Sequence, residues 1–227
     1  MAMTKFNELL QVLHRGVNPY TNFPAAQWAG RWYDDPGARR DILKRNLDKA
    51  LPQQRPTGIV VEVGSFVGES AIYQAKHLKS KGADAVVLCI DTWYGGIDHY
   101  KGAPEKINHH FGRPDLFYRF MANVILHQCQ DMILPVAIDS LNGARLLNLL
   151  NIQPAFVYVD ASHEQGDAGR DYEAYWDVLP SGGVMMVDDI SNHFPGCVHD
   201  WNEFTKKHKI PESKWDVAGE KIAVVKP

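Results

Sequence analysis

Cysteine is scarce: Cys89, Cys129 and Cys197 are odd in number and far apart in the 227 residues. That spacing excludes a disulfide framework and a paired-cysteine zinc site, and it favours a reducing compartment. Long apolar runs are missing as well, so nothing reads as a membrane span, and the opening MAMTKFNELL lacks the apolar core of a signal peptide. Excess positive charge is also absent; the formal net charge is -3, which removes the electrostatic case for nucleic acid or an anionic membrane. No internal repeat or low-complexity tract interrupts the chain. A composition of 45% hydrophobic and 22% charged residues is ordinary for a globular protein. The expectation is a soluble, cytoplasmic protein with one well-buried α/β domain.

Residues 1–56 read as a helical, aromatic-rich appendage, with a helix entering through Asp34-Asp35-Pro36 and carrying Ile42, Leu43, Leu47, Ala50 and Leu51 at helical spacing. Pro52 and Pro56 end it. From residue 57 onward strands and helices alternate. GIVVEVG (58–64), AVVLCID (85–91), MILPVAID (132–139), AFVYVD (155–160) and GVMMVDD (183–189) are short apolar, largely β-branched runs, as in strands buried on both faces. Pro135 argues that the third is irregular or near a sheet edge. Helical stretches follow at 69–81, closed by Gly82, at 141–150, through Ala168, Tyr172, Tyr175, Trp176 and Leu179, and at 197–208. The chain ends in a hairpin turning at Gly219-Glu220. This alternation predicts an α/β fold, a doubly wound and mostly parallel sheet with helices on both faces. The polar and aromatic stretch 92–130 is long for a connection and reads as a substrate lid, although Phe117, Phe120 and Met121 have core spacing.

In such a sheet ligands bind beyond the carboxyl ends of the strands, near the topological switch point. Gly64, Asp91, Asp139, Asp160 and Asp188 all end or directly follow predicted strands, so they should line one crevice. In VVEVGSFVGES (60–70), Gly64 and Gly68 let the backbone approach a ligand, and Glu62 can organise the loop. Asp91 is suited to ribose hydroxyls, with Trp93 as a wall for an adenine. Asp188 and Asp189 are adjacent, so a regular strand would point them to opposite faces; both reach one ion only if the strand breaks there, and the alternative is that one of them caps a helix or pairs with a lysine.

EVGSFVGES, CIDTW, AIDS and VYVDASHE, followed by DYEAYWDVLPSGGVMMVDD, together resemble the class I S-adenosylmethionine-dependent methyltransferases. The resemblance is to the group with macrocin-type and mycinamicin-type sugar O-methyltransferases and cephalosporin-hydroxylase-like proteins, and it covers residues 57–227. It implies a Rossmann-like sheet whose final strand is antiparallel. It further implies that Glu62, Gly64, Ser65, Phe66, Gly68 and Ser70 border the methionine part of the cofactor, with Asp160 nearby. Asp91, Thr92 and Trp93 would face the nucleoside, and Asp139 with Ser140 the adenine. Phe66 departs from the pattern, standing where glycine is common. The resemblance also implies that Asp160, Asp188 and Asp189 bind Mg2+ and that His163 is the general base, with His193 and His99 as fallback candidates. Oxygen ligands suit magnesium, and a neutral imidazole can take a proton near neutrality.

The expected activity is therefore O-methylation of a hydroxyl on a small molecule, a sugar or a phenol. A hydroxylase is the second class, but a mononuclear iron site usually wants two histidines and one carboxylate. A metal-independent methyltransferase and a non-catalytic cofactor-binding protein stay open. Phe23, Trp28, Trp32 and Tyr33 could form an exchange surface in a homo-oligomer.

Overall fold

Four runs without a charged residue, or with one acid, supply strands buried along their whole length save for the terminal Asp91 of one, because a sheet covered on both faces hides such apolar side chains. The computed structural model describes residues 4–28, 38–51, 58–102, 107–110 and 112–227. In chain order the strands are β1 (Ile59–Val63), β2 (Val86–Asp91), β3 (His109–His110), β4 (Arg113–Pro114), β5 (Ile133–Ala137), β6 (Phe156–Val159), β7 (Val184–Val187), β8 (Asp216–Ala218) and β9 (Lys221–Val225). The helices are α1 (Lys5–His14), α2 (Ala25–Trp28), α3 (Ala38–Ala50), α4 (Glu69–Ser80), α5 (Ile97–Gly102), α6 (Leu116–Leu126), α7 (Ser140–Leu149), α8 (Asp167–Val178) and α9 (Pro195–Lys207).

The main sheet has seven strands in the order β5-β2-β1-β6-β7-β9-β8. Five of them run parallel, and β9 is antiparallel to both β7 and β8. That is the doubly wound sheet with a reversed final strand expected from the sequence. β5 lies at the edge, where its Pro135 costs no ladder bond on an inner strand. The chain builds outward from β1 through β2 to β5, then returns to the other side of β1 with β6. The switch point therefore lies between the tips of β1 and β6.

Alternate strand residues feed two cores. Val60, Val87, Phe156 and Met186 pack with Ile42, Leu47, Ile72 and Phe120 of α3, α4 and α6. Val61, Leu88, Val157 and Met185 pack with Leu9, Leu10, Leu147, Tyr172 and Trp201 of α1, α7, α8 and α9. The N-terminal helices thus contribute to both faces. Residues 116–126 of the stretch read as a lid form α6, whose Leu116, Phe120, Met121 and Val124 are buried. Phe23 and Trp28 stack on Tyr118 of that helix, with ring centroids 6.4 and 4.5 Å away. The helix entrance at Asp34-Asp35-Pro36, the stop at Pro52 and Pro56, and the aromatics Trp32 and Tyr33 lie outside the described residues. Among the described residues no helix is long and apolar enough to cross a membrane.

Candidate active site

The loop after β1 is fixed by its neighbour. Gly64 has φ 85°, and a Cβ there would sit 1.9 Å from the carbonyl oxygen of Asp160, so only glycine lets the tips of β1 and β6 approach this closely. Phe66 also adopts a left-handed conformation, φ 44°, the geometry glycine would take at that position. Asp91 clamps the loop, accepting the Phe66 N–H at 2.8 Å and the Trp93 N–H at 2.6 Å. Burial pushes the Asp91 carboxyl up, opposed by those N–H groups. Trp93 closes the circuit by donating its indole N–H to the Phe66 carbonyl at 2.8 Å. Its ring is buried against Phe117 and Phe120, so it braces the loop from within the core.

Glu62 lies wholly buried beneath the same loop and accepts a hydrogen bond from Gln74 of α4. Burial lifts its carboxyl to about 7, against the downward pull of Ser65, Ser70 and Gln74. Glu62 lies below the surface of the loop and is not among the residues that line the cavity. Asp139 caps α7, accepting the Asn142 backbone N–H at 3.0 Å, and the Ser140 carbonyl accepts from Tyr175 at 2.8 Å. Thr92 is exposed and accepts the Tyr94 N–H at 3.3 Å.

The second half of the site is acidic. β7 ends at Val187, and Asp189 takes φ 59°, so the strand breaks between the two adjacent aspartates. That break turns Asp189 toward His163, whose Nε2 lies 2.8 Å from Asp189 Oδ2. Ligand atoms of Asp160, His163 and Asp189 all fall within 4.8 Å of one another. Asp188 points elsewhere: its Oδ2 is taken by the ammonium of Lys221 and by the Tyr158 hydroxyl, the latter at 2.5 Å. Burial opposes the Asp188 charge, but Lys221, Tyr158 and the Asp189 N–H outweigh it and hold the carboxyl below its usual range. Asp160 is driven the other way, well above the usual range, by burial and by the Asp188 charge. Of the fallback histidines, His193 is exposed and His99 stacks on Phe66 at 4.6 Å.

A cavity of about 220 Å³ runs from the loop to the acidic half, lined by Gly64, Ser65, Phe66, Ser70, Tyr158, Asp160, Asp188 and Lys221; of the Asp160, His163 and Asp189 cluster, Asp160 is the member that lines it. Arg40, Leu43 and Tyr73 wall it from α3 and α4. Tyr158, Lys221 and Arg40 were not evident from sequence. Tyr158 reads as one more apolar strand residue, and Lys221 joins the site only through strand pairing. The residues fit both groups that the resemblance implies. Two carboxylates and an imidazole converging on one point suit a divalent cation. The start of α4, capped by Gly68 without a side-chain acceptor, leaves N–H groups beside the cavity for a carboxylate such as that of methionine.

Comparison with known proteins agrees with this fold. Among curated proteins none matches the sequence significantly. The calicheamicin methyltransferase CalS11 superposes with a TM-score of 0.60 at 16% identity, over 99% of this chain and 94% of that one. An O-methyltransferase from Bacillus cereus, in complex with SAH, gives 0.56 at 13% identity over 98% of each chain. The O-methyltransferase TomG from Streptomyces achromogenes, in complex with SAM, gives 0.52 at 16% identity over 100% of this chain and 92% of that one. At these identities the likeness is one of fold. Residues 61–190, more than half of the chain, match a family described as a methyltransferase domain, and the protein belongs to that family.

Proposed function

We propose that the protein is an S-adenosylmethionine-dependent O-methyltransferase acting on a hydroxyl of a small molecule, a sugar or a phenol, with a divalent cation, Mg2+, in its acidic pocket. The observation that carries this reading is the convergence of Asp160, His163 and Asp189 beside the Gly64–Gly68 loop at the switch point. The loop and the first turn of α4 hold the methionine end of the cofactor, and Asp91 keeps the loop in place. When bound, the cofactor supplies an electrophilic methyl on sulfur and leaves as the neutral thioether. Asp160 and Asp189 would hold the cation, which would supply a charge that lowers the pKa of a neighbouring hydroxyl. His163, oriented by Asp189, takes the proton as the acceptor oxygen attacks. The walls keep oxygen, methyl and sulfur in line and exclude water.

The reading is tested by calorimetric titration with S-adenosylmethionine, followed by methyl transfer to a panel of sugars and phenols with Mg2+ or EDTA. Absence of cofactor binding would sink it; turnover unaffected by EDTA would remove the metal from it. The 4.8 Å cluster also supports His163 as a third ligand instead of a base. His163→Ala separates the roles. A base leaves Mn2+ affinity intact while turnover falls about 100-fold or more, in the range of lost acid–base catalysis. A ligand takes metal affinity down with it.

A further inference from the structure

Lys221 opens β9 across from the broken tip of β7. The antiparallel register pairs Val187 with Ile222, and its continuation sets Lys221 opposite Asp188. The ammonium donates to Asp188 Oδ2 and, at 2.7 Å, to the Tyr158 hydroxyl. Little of either partner meets solvent: 11% of the Lys221 side chain and 13% of Asp188 are exposed. The other Asp188 oxygen, Oδ1, accepts the Asp189 N–H at 2.9 Å. Both oxygens of Asp188 are therefore engaged. Asp160 differs, meeting this network only through Tyr158 at 3.2 Å. An ammonium and a carboxylate this buried are each costly alone, so the pair holds together unless something replaces the lysine.

We propose that Lys221 is the resident cation of the acidic pocket, a positioning residue that keeps Asp188 out of metal coordination and leaves Asp160 and Asp189 as the carboxylate ligands. This rests on the metal half of the function proposed above. It departs from a ligand set of three aspartates, the set the sequence suggested. The pocket then offers two carboxylate charges to an ion instead of three, with Asp188 and Tyr158 serving as a fixed wall.

The test uses Mn2+ as the probe, with free ion read by electron paramagnetic resonance, on the full chain without added acceptor. Removing the pair together, Asp188→Asn with Lys221→Met, avoids an orphaned buried charge, and a thermal melt checks the fold. The double variant is expected to bind Mn2+ within threefold of the wild type, whereas Asp160→Asn and Asp189→Asn each weaken it about tenfold or more, the usual scale for a lost ligand or its support. A tenfold loss in the double variant would make Asp188 a ligand and overturn the proposal. Lys221→Met alone frees Asp188 and should tighten Mn2+ about tenfold; Lys221→Gln replaces it if that variant fails to fold. Should the wild type bind no Mn2+ at millimolar concentration, the metal half of the proposed function fails. Mn2+ binding gained on removing Lys221 would then still support the present inference, and no gain would overturn it.

Discussion

At the scale of single residues the tightest constraint is Gly64. A methyl group there would meet backbone of Asp160 at 1.9 Å, and neither strand tip can retreat without breaking the parallel ladder between β1 and β6. Gly64→Ala is expected to lower the thermal midpoint sharply, by several kcal/mol of stability, on the scale of substitutions that force special backbone positions. Differential scanning calorimetry would show it, and an unchanged midpoint would mean that the loop is not held as described. Glu62 gives a second prediction, one of pH. Its folded value of about 7 lies above the ~4.3 of an exposed glutamate, so the folded chain binds the extra proton between those limits. Stability from this group is thus present at low pH and lost as pH rises toward 7. Glu62→Gln should remove that slope, so its advantage over the wild type grows by roughly 2 to 3 kcal/mol between pH 5 and pH 8, because a tenfold difference in proton affinity is worth about 1.4 kcal/mol. Urea titrations at the two pH values measure the gap; a constant gap would refute the assignment.

Among the elements, α3 gathers three of its polar side chains on a single carboxylate. Asp216 of β8 accepts from Arg45 Nε at 2.9 Å, Lys49 at 2.7 Å and Asn46 at 2.9 Å, and these donors, Arg45 foremost, hold its carboxyl far below the usual range. A depressed carboxyl stabilises above its unfolded pKa and loses that contribution as pH falls. Because the cluster is partly exposed, Asp216→Ala should cost only about 1–2 kcal/mol at pH 7 and less below pH ~4. Since α3 walls the cavity with Arg40 and Leu43, cofactor affinity should fall as well, which calorimetry can read. The contrast with β1, β2, β6 and β7 explains what was legible beforehand. Apolar runs closed by glycine or acid announced those strands, and Pro135 announced the edge, because local composition determines them. The broken tip at Asp188-Asp189 was legible as a requirement but not as a geometry. A lysine partner for one of the two aspartates was an open alternative, but its identity as Lys221 was not legible, since its place depends on the register of β9 against β7 and no local pattern encodes that register. Phe66 was noticed as a departure, yet its glycine-like φ follows only from the Asp91 clamp.

For the whole molecule the question is whether the N-terminal helices are an appendage. Phe6, Leu9 and Leu10 of α1 are buried on one face of the sheet, and Ile42, Leu43 and Leu47 of α3 on the other. Side chains of this kind contribute about 1.5–3 kcal/mol each when fully buried, so the six together account for roughly 9–18 kcal/mol, an upper bound because the unfolded chain already hides some apolar area. A domain of this size is stable by only about 5–15 kcal/mol in total. Polar anchoring adds to the dependence: Tyr20 donates to the Ile133 carbonyl and the ring of His14 bonds that of Pro135, both on the edge strand β5. Removing residues 1–57 should therefore not release a self-sufficient methyltransferase domain. The truncated chain is expected to lose its cooperative thermal transition and to bind a hydrophobic dye, whereas the intact chain melts in one step. A truncated chain that melts cooperatively within a few degrees of the full one would show that the helices ride on the sheet rather than complete its two cores.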